Sequence, residues 1–141
     1  MNEHQIPTGE LSSVKNSYFD FLEERELKEA LIHVDGGGQP GLDHCFILNS
    51  DSSSTSSLPP LMATLTHRAS GRQLIVRGTQ PSIQVYTANF LSGSPPFAQH
   101  RAVALETQGL PNAVNQLHFP SILLTPSDVY SHQTLYCLRH V

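Results

Sequence analysis

From Gly41 onward the chain is a succession of short apolar segments, rich in β-branched and aromatic residues, that glycine, proline and serine separate. Segments of this length and composition are typical of β-strands. The run LMATLTHRASGRQLIVRGTQ contains two of them joined around Ser70-Gly71, which is the pattern of a β-hairpin. Further strands are predicted at 41–48, 82–90, 101–107, 121–125 and 130–138. The sequence therefore predicts a mostly β fold.

One short helix is predicted ahead of these strands. In LEERELKEALI at 22–32, the apolar residues Leu22, Leu27, Ala30 and Leu31 recur near one face at helical spacing, with charged residues opposite. The glycine-rich loop that follows delivers two polar side chains, of an aspartate and a histidine, beside the first strand.

The segment 49–60 is almost all serine and proline, which predicts a flexible connector. The full length of 141 residues fits one domain of common size, so length alone gives no warning of truncation.

Charge and hydropathy exclude several classes of partner. The net charge is −4 and no basic run occurs, so nucleic acid is not expected as a partner. The apolar runs are far shorter than the roughly 18 residues of a membrane span, and the first residues lack the pattern of a signal peptide. We therefore expect no membrane partner and a cytoplasmic location. No histidine pair has the spacing of a zinc site, so no metal is expected.

Glu106 is an acid within an otherwise apolar strand segment, RAVALETQ. Charged side chains are usually solvated, so on residue types alone an edge-strand or turn-capping carboxylate is the favoured interpretation. The alternative is a general base, because a carboxylate is a common choice for proton abstraction. Asp43 and Gln84 are similarly interpreted, without further information, as a loop carboxylate and a strand-edge amide.

Four sequence blocks change these interpretations. LETQ at 105–108, followed by PNAVN at 111–115 and FP at 119–120, closely resembles the LETQ…PDAVN…FP signature of aldose 1-epimerases. Three further blocks resemble segments of the same family and occur in its order, namely IPTGE at 6–10, GLDHCF at 41–46, and SGR at 70–72 with TQPSIQVYTANF at 79–90. The chain is therefore identified, from residue 6 on, as similar to the C-terminal part of the aldose 1-epimerase (galactose mutarotase) family.

The resemblance implies a fold, a reaction and three site residues. The fold is a partial antiparallel β-sandwich, the C-terminal part of the galactose mutarotase-like supersandwich, with one short helix. The reaction is interconversion of the α and β anomers of free hexoses such as galactose and glucose, without a cofactor. Glu106 matches the family's general base, and Asp43 and Gln84 match its sugar ligands.

The departures from the family pattern leave a second hypothesis open. The family's general acid is a histidine in an Asn-His-Ser-Tyr-Phe-type motif that precedes the IPTGE block, and this sequence contains no such motif. His44, beside Asp43, is the least improbable substitute, although we do not predict it to be catalytic. The alternative to an enzyme is thus a truncated, non-catalytic sugar-binding relative. A third possibility, a phosphorylated hexose as substrate, would need an arginine cluster, and the arginines are scattered.

Overall fold

The computed structural model describes residues 2, 6–49 and 57–141. Its elements are, in chain order, helix α1 (Leu27–His33) and strands β1 (Asp43–Ile47), β2 (Leu61–His67), β3 (Arg72–Gly78), β4 (Ser82–Tyr86), β5 (Ala104–Gln108) and β6 (Thr134–His140). The strands form two antiparallel three-stranded sheets, ordered β1-β4-β5 and β2-β3-β6. The predicted class, mostly β with one short helix, is therefore confirmed within the described part of the chain.

The chain divides into two compact units. The first consists of Met1–Cys45 and Gln84–Leu105, and the second of Phe46–Ile83 and Glu106–Val141. Each unit has its own buried apolar residues: Ala30, Val34, Leu42 and Ala88 in the first, and Met62, Val76, Ile83, Leu110 and Ala113 in the second.

The hairpin predicted around Ser70-Gly71 is confirmed. Strands β2 and β3 pair antiparallel with His67 opposite Arg72, and one turn of 3₁₀-helix at Arg68–Ser70 joins them. Gly71 ends that turn in the left-handed conformation, with φ of 64°, and its N–H donates to the Arg68 carbonyl. Glycine adopts this conformation without the steric penalty of a Cβ, which explains its place in the turn.

The helix is shorter than its sequence pattern indicated, because α1 begins at Leu27 rather than at Leu22. The preceding residues form turns, in which the Arg25 guanidinium donates to the Ser17 carbonyl at 3.0 Å and the Leu22 N–H donates to the Asp20 carboxylate at 3.3 Å. Leu22 is consequently exposed instead of joining the apolar face.

Two strand predictions near the end of the chain differ from the structure: one strand is absent and the other begins later. Residues 121–125 form no strand, and Ile122, Leu123 and Leu124 are exposed. The last strand begins at Thr134, four residues later than predicted, because its antiparallel register with β3 places Thr134 opposite Gly78. Within the predicted connector at 49–60, residues 50–56 lie outside the described part of the chain, and β2 begins just after it.

Helix α1 has seven residues, and in the described part of the chain no helix has the length and hydropathy that crossing a membrane requires.

Gly78, the last residue of β3, is buried against the side chain of Met62. A Cβ added at Gly78 would lie 2.4 Å from the Met62 sulfur, so the thioether fills the space that a side chain would take. We expect Gly78→Ala to destabilise the chain by about 1–2 kcal/mol, since overpacking displaces a buried side chain. Urea unfolding of the purified variants measures the change.

The matched control for this prediction is the same substitution in a Met62→Ala background. There the added methyl enters vacated space, so Gly78→Ala should be neutral or stabilising, because alanine loses less conformational freedom than glycine on folding. Equal costs in both backgrounds would show that the methionine does not limit the space at this position.

Candidate functional site

Asp43 and Gln84 are joined by a direct hydrogen bond. Asp43 is the first residue of β1 and Gln84 the third of β4, and the Gln84 Nε2 donates to the Asp43 Oδ1 at 2.7 Å. Both residues belong to the first unit and both are half-buried. An ionised carboxylate has a second oxygen and an amide has a carbonyl oxygen, so the pair retains hydrogen-bonding capacity for hydroxyl groups.

The strand register explains why these two residues meet although 41 positions separate them. The Thr87 N–H donates to the Leu42 carbonyl, and the Leu48 N–H donates to the Pro81 carbonyl. In this antiparallel register of β1 and β4, residues 42 and 87 are opposite each other, and so are residues 48 and 81. Asp43 then lies diagonally across from Gln84 on the same face of the sheet, within reach of a long side chain.

A buried polar cluster surrounds the peptide that precedes Asp43. The Leu42 N–H donates to the Thr87 Oγ1 at 2.8 Å, and the Asn89 Nδ2 donates to the Leu42 carbonyl at 3.0 Å. The Thr87 hydroxyl also donates to the Asn89 Oδ1 at 2.7 Å. Thr87 and Asn89 are 1% and 2% exposed. Their polar side-chain groups are thus paired within the protein, as burial requires.

Two glycines allow the loop between α1 and β1 to approach this cluster. A Cβ added at Gly36 would lie 2.1 Å from the Asn89 Nδ2, and one added at Gly41 would lie 2.2 Å from the Asn89 Oδ1. Any side chain at either position would therefore displace the Asn89 amide. The glycine-rich segment, predicted from sequence only as a flexible loop, is closely packed against a buried side chain at these two points.

His44 contacts Asp43 through the backbone. Its Nδ1 accepts the Asp43 N–H at 3.1 Å, so the ring proton is on Nε2, and its ring meets the ring of Phe19 edge-on at 4.8 Å between centroids. Burial lowers the pKa of His44 below its ordinary value, although the nearby Asp43 and Asp35 carboxylates act in the opposite direction. A neutral ring suits the acceptor role that the hydrogen bond requires.

The lowered pKa of His44 predicts an acid-sensitive fold. As the pH falls, the unfolded chain takes up a proton on His44 near the ordinary pKa of 6.5, before the folded chain does. The contribution of His44 to the free energy of unfolding is therefore fully present above that pH and is lost as the pH falls below it. We expect His44→Asn, which keeps an acceptor near the Nδ1 position, to flatten the dependence of Tm on pH between about 7.5 and 5.

The exposed histidine at the end of β6 provides the control. His140→Asn makes the same chemical change at an exposed position, and a slope equally steep in His44→Asn and in the unaltered chain would refute the assignment to His44.

Glu106 is the middle residue of β5, an edge strand of its sheet, and it is exposed. It belongs to the second unit, so the structure brings Asp43 and Gln84 together in one unit and places Glu106 in the other. The exposed position fits the plain interpretation of an edge-strand carboxylate, and it also leaves the carboxylate accessible to a ligand. Its role as a base remains a prediction.

The residues beside Glu106 are held by hydroxyl groups and a histidine that sequence reasoning did not single out. The Thr107 Oγ1 lies 3.1 Å from the His132 Nε2 and 2.6 Å from the Thr134 Oγ1, and the His132 Nδ1 lies 2.9 Å from the Thr79 Oγ1. One residue further along the strand, the Ser82 hydroxyl donates to the Gln108 carbonyl at 2.8 Å. The two residues that follow Glu106 in β5 are thereby fixed within the second unit.

Thr87 and Asn89 were also missed. Their signal in the sequence is weak, because a threonine and an asparagine after a strand usually indicate an exposed turn. Only their burial identifies them as part of the site's support.

One depression in the first unit does not contain the Asp43–Gln84 pair. It measures about 560 Å³ and lies over the turns before α1, lined by Asn16, Ser17, Tyr18, Asp20, Glu23, Glu24 and Arg25. Asp20 and Arg25 already satisfy backbone groups of the same segment, so we place the candidate site at the Asp43–Gln84 pair instead. In residues 2, 6–49 and 57–141 no group of three or more histidine, cysteine, aspartate or glutamate side chains could hold a metal ion.

Comparisons with known proteins agree with the sequence blocks. The family profile described as "Aldose 1-epimerase" matches residues 1–137. Galactose mutarotase from Sus scrofa is 40% identical over 95% of this chain, and the Homo sapiens protein of the same name is 39% identical over the same share. Aldose 1-epimerase from Escherichia coli is 31% identical over 96% of the chain.

A solved structure gives the same result for the fold. The crystal structure of the GalM/aldose epimerase homologue from C. elegans matches 96% of this chain with a TM-score of 0.81 at 28% identity. The chain spans only 39% of the length of the Sus scrofa and Homo sapiens relatives and 41% of the C. elegans chain. The matching profile, the sequence identities and the shared fold together show that this chain belongs to the aldose 1-epimerase family.

Proposed function

We propose that this chain contributes to the interconversion of the α and β anomers of free hexoses such as galactose and glucose. Relatives at about 40% identity carry the name galactose mutarotase. The observation that carries the proposal is the hydrogen bond between Gln84 and Asp43, because it makes a paired carboxylate and amide of the kind that hold sugar hydroxyls. We further propose that residues 1–141 are part of one aldose 1-epimerase domain.

The chemistry of the reaction assigns a role to each residue. Mutarotation removes the proton of the anomeric hydroxyl while the ring oxygen gains a proton, so the bond between C1 and the ring oxygen breaks and an open-chain aldehyde forms. Rotation about the C1–C2 bond and the reverse proton transfers close the ring on the other face. Glu106 acts as the base that takes and returns the anomeric proton. Asp43 and Gln84 orient the sugar by hydrogen bonds to its hydroxyls.

The exposure of Glu106 leaves its carboxylate accessible to a ligand, and the hydrogen bonds of its neighbours Thr107 and Gln108 hold the strand that carries it. Proton abstraction needs heavy-atom distances of about 3 Å in the complex, so the placement of this strand matters.

A specific observation favours a second candidate function, that of a non-catalytic sugar-binding relative. None of the 141 residues forms the Asn-His-Ser-Tyr-Phe-type motif that resemblance to the family leads us to expect for the general acid. An enzyme that lacks one acid–base partner typically loses a factor of about 10² to 10⁴ in rate. Binding through Asp43 and Gln84 would not need that histidine.

Polarimetry on freshly dissolved α-D-galactose, together with an NMR titration of the chain with galactose, tests both functions. An enzyme accelerates the change in optical rotation above the rate of buffer alone. A non-catalytic relative leaves that rate unchanged while galactose shifts the Gln84 side-chain amide signals. If the chain does not accelerate the change in optical rotation and galactose does not alter the NMR spectrum of the chain, both functions are refuted for this chain.

A further inference from the structure

We propose that Thr87 and Asn89 are positioning residues that hold the Leu42–Asp43 peptide, so that the Asp43 carboxylate is presented in one orientation. The inference builds on the proposed function where it concerns sugar binding. The geometry on which it depends lies entirely within the first unit.

The peptide between Leu42 and Asp43 is held from both of its edges. Its carbonyl oxygen accepts the Thr87 N–H at 3.0 Å and the Asn89 Nδ2 at 3.0 Å. Its N–H donates to the His44 Nδ1 at 3.1 Å. A peptide group is planar, so fixing its oxygen and its hydrogen fixes the direction in which the Asp43 Cα leaves it.

The preceding peptide is held through its N–H group. The Leu42 N–H donates to the Thr87 Oγ1 at 2.8 Å, and the Leu42 side chain is fully buried. The backbone on the N-terminal side of Asp43 therefore cannot rotate without breaking buried hydrogen bonds, each of which is costly to leave unpaired. The Asp43 side chain is therefore attached to a backbone segment that is held in place.

The backbone of 87–89 is shaped to make these contacts. Ala88, between the two positioning residues, has φ of 57°, a left-handed conformation that is unfavourable for residues other than glycine. It brings the side chains of Thr87 and Asn89 to the same residue, Leu42. A non-glycine residue in this region is worth a functional explanation, and the shared contact with Leu42 provides one.

A second set of contacts holds the backbone carbonyls of the positioning residues. The Asn89 carbonyl accepts the Gln99 Nε2 at 2.9 Å, and the Thr87 carbonyl lies 3.0 Å from the His100 Nδ1. The orientation of Asp43 therefore depends on a chain of hydrogen bonds that begins at 99–100, passes through 87–89 and ends at the Leu42–Asp43 peptide. Supporting shells of this kind set how well a binding side chain is pre-oriented.

The test compares Thr87→Val, which keeps the shape but removes the hydroxyl, with Thr87→Ser, which keeps the hydroxyl. The first readout is the NMR signal of the Gln84 side-chain amide, which reports its hydrogen bond to Asp43 without any sugar. In folded Thr87→Val we expect this signal to move toward its position in Asp43→Asn. Thr87→Ser should restore it.

The second readout is the dissociation constant for galactose, which we expect Thr87→Val to raise about tenfold and Thr87→Ser to return to within about twofold. If the unaltered chain binds no galactose, the proposed function fails, yet the Gln84 signal still decides the positioning role. Should Thr87→Val not fold, the milder Gln99→Ala is expected to shift the Gln84 signal in the same direction by a smaller amount. A Gln84 signal that stays in place in the folded variant overturns the proposal, because a merely structural role changes stability alone.

Discussion

Gly41→Ala is expected to destabilise the chain by about 3 kcal/mol or more. Two penalties add at this position. The backbone of Gly41 has φ of +120°, which L-residues rarely adopt and which costs about 1–3 kcal/mol. The added methyl would also lie 2.2 Å from the Asn89 Oδ1 and 2.7 Å from the Thr87 Oγ1, and overpacking of this kind costs about 1–3 kcal/mol.

Gly38→Ala separates these penalties, because it is a glycine of the same loop with φ of +94° and no heavy atom within 4 Å of an added Cβ. It should show only the conformational cost, about 1–2 kcal/mol. The measurement is the free energy of unfolding from urea titration of both variants at one pH. If the two substitutions cost the same, the packing of Gly41 against Asn89 and Thr87 contributes nothing to stability.

Glu106→Gln is expected to lower the catalysed rate of galactose mutarotation by a factor of about 10² to 10⁴, measured by polarimetry against the spontaneous rate. An amide has the shape of the carboxylate but cannot take the anomeric proton. Because Glu106 is exposed, the substitution should change the free energy of unfolding by less than about 0.5 kcal/mol. Galactose affinity should change much less than the rate, since binding is assigned to Asp43 and Gln84.

The same chemical change at another exposed carboxylate, Glu23→Gln, is the control and should leave the rate as it is. Equal rates in the unaltered chain and in Glu106→Gln would remove Glu106 from the mechanism. A rate that falls together with stability would instead indicate that the carboxylate supports strand β5.

Short-range patterns predicted much of the fold. The hairpin around Ser70-Gly71 and strands at β1, β4 and β5 were all expected, because alternation and turn residues act within a few positions. The wrong predictions concern segments whose structure depends on contacts between residues that are distant in sequence. The apolar run at 121–125 has the composition of a strand but forms none, and the start of β6 follows its register with β3.

In the candidate site, too, the sequence identified some residues, whereas their contacts were seen only in the structure. Asp43, Gln84 and Glu106 were found through motif resemblance, which identifies residue types but not their contacts. The hydrogen bond from Gln84 to Asp43 became visible only through the pairing of β1 with β4. Thr87 and Asn89 carried no chemical signal of their own, since their role depends on being buried.

The sequence by itself determined the family and the mostly β class, and it singled out the carboxylates and the amide that are proposed to act on a sugar. Only the tertiary structure decided which polar side chains are buried and paired, where α1 begins, and that Gly36 and Gly41 pack against Asn89. The reason is physical: strand propensity and turn chemistry are local, whereas a buried hydrogen bond between positions more than 40 residues apart exists only once the register of two strands is set.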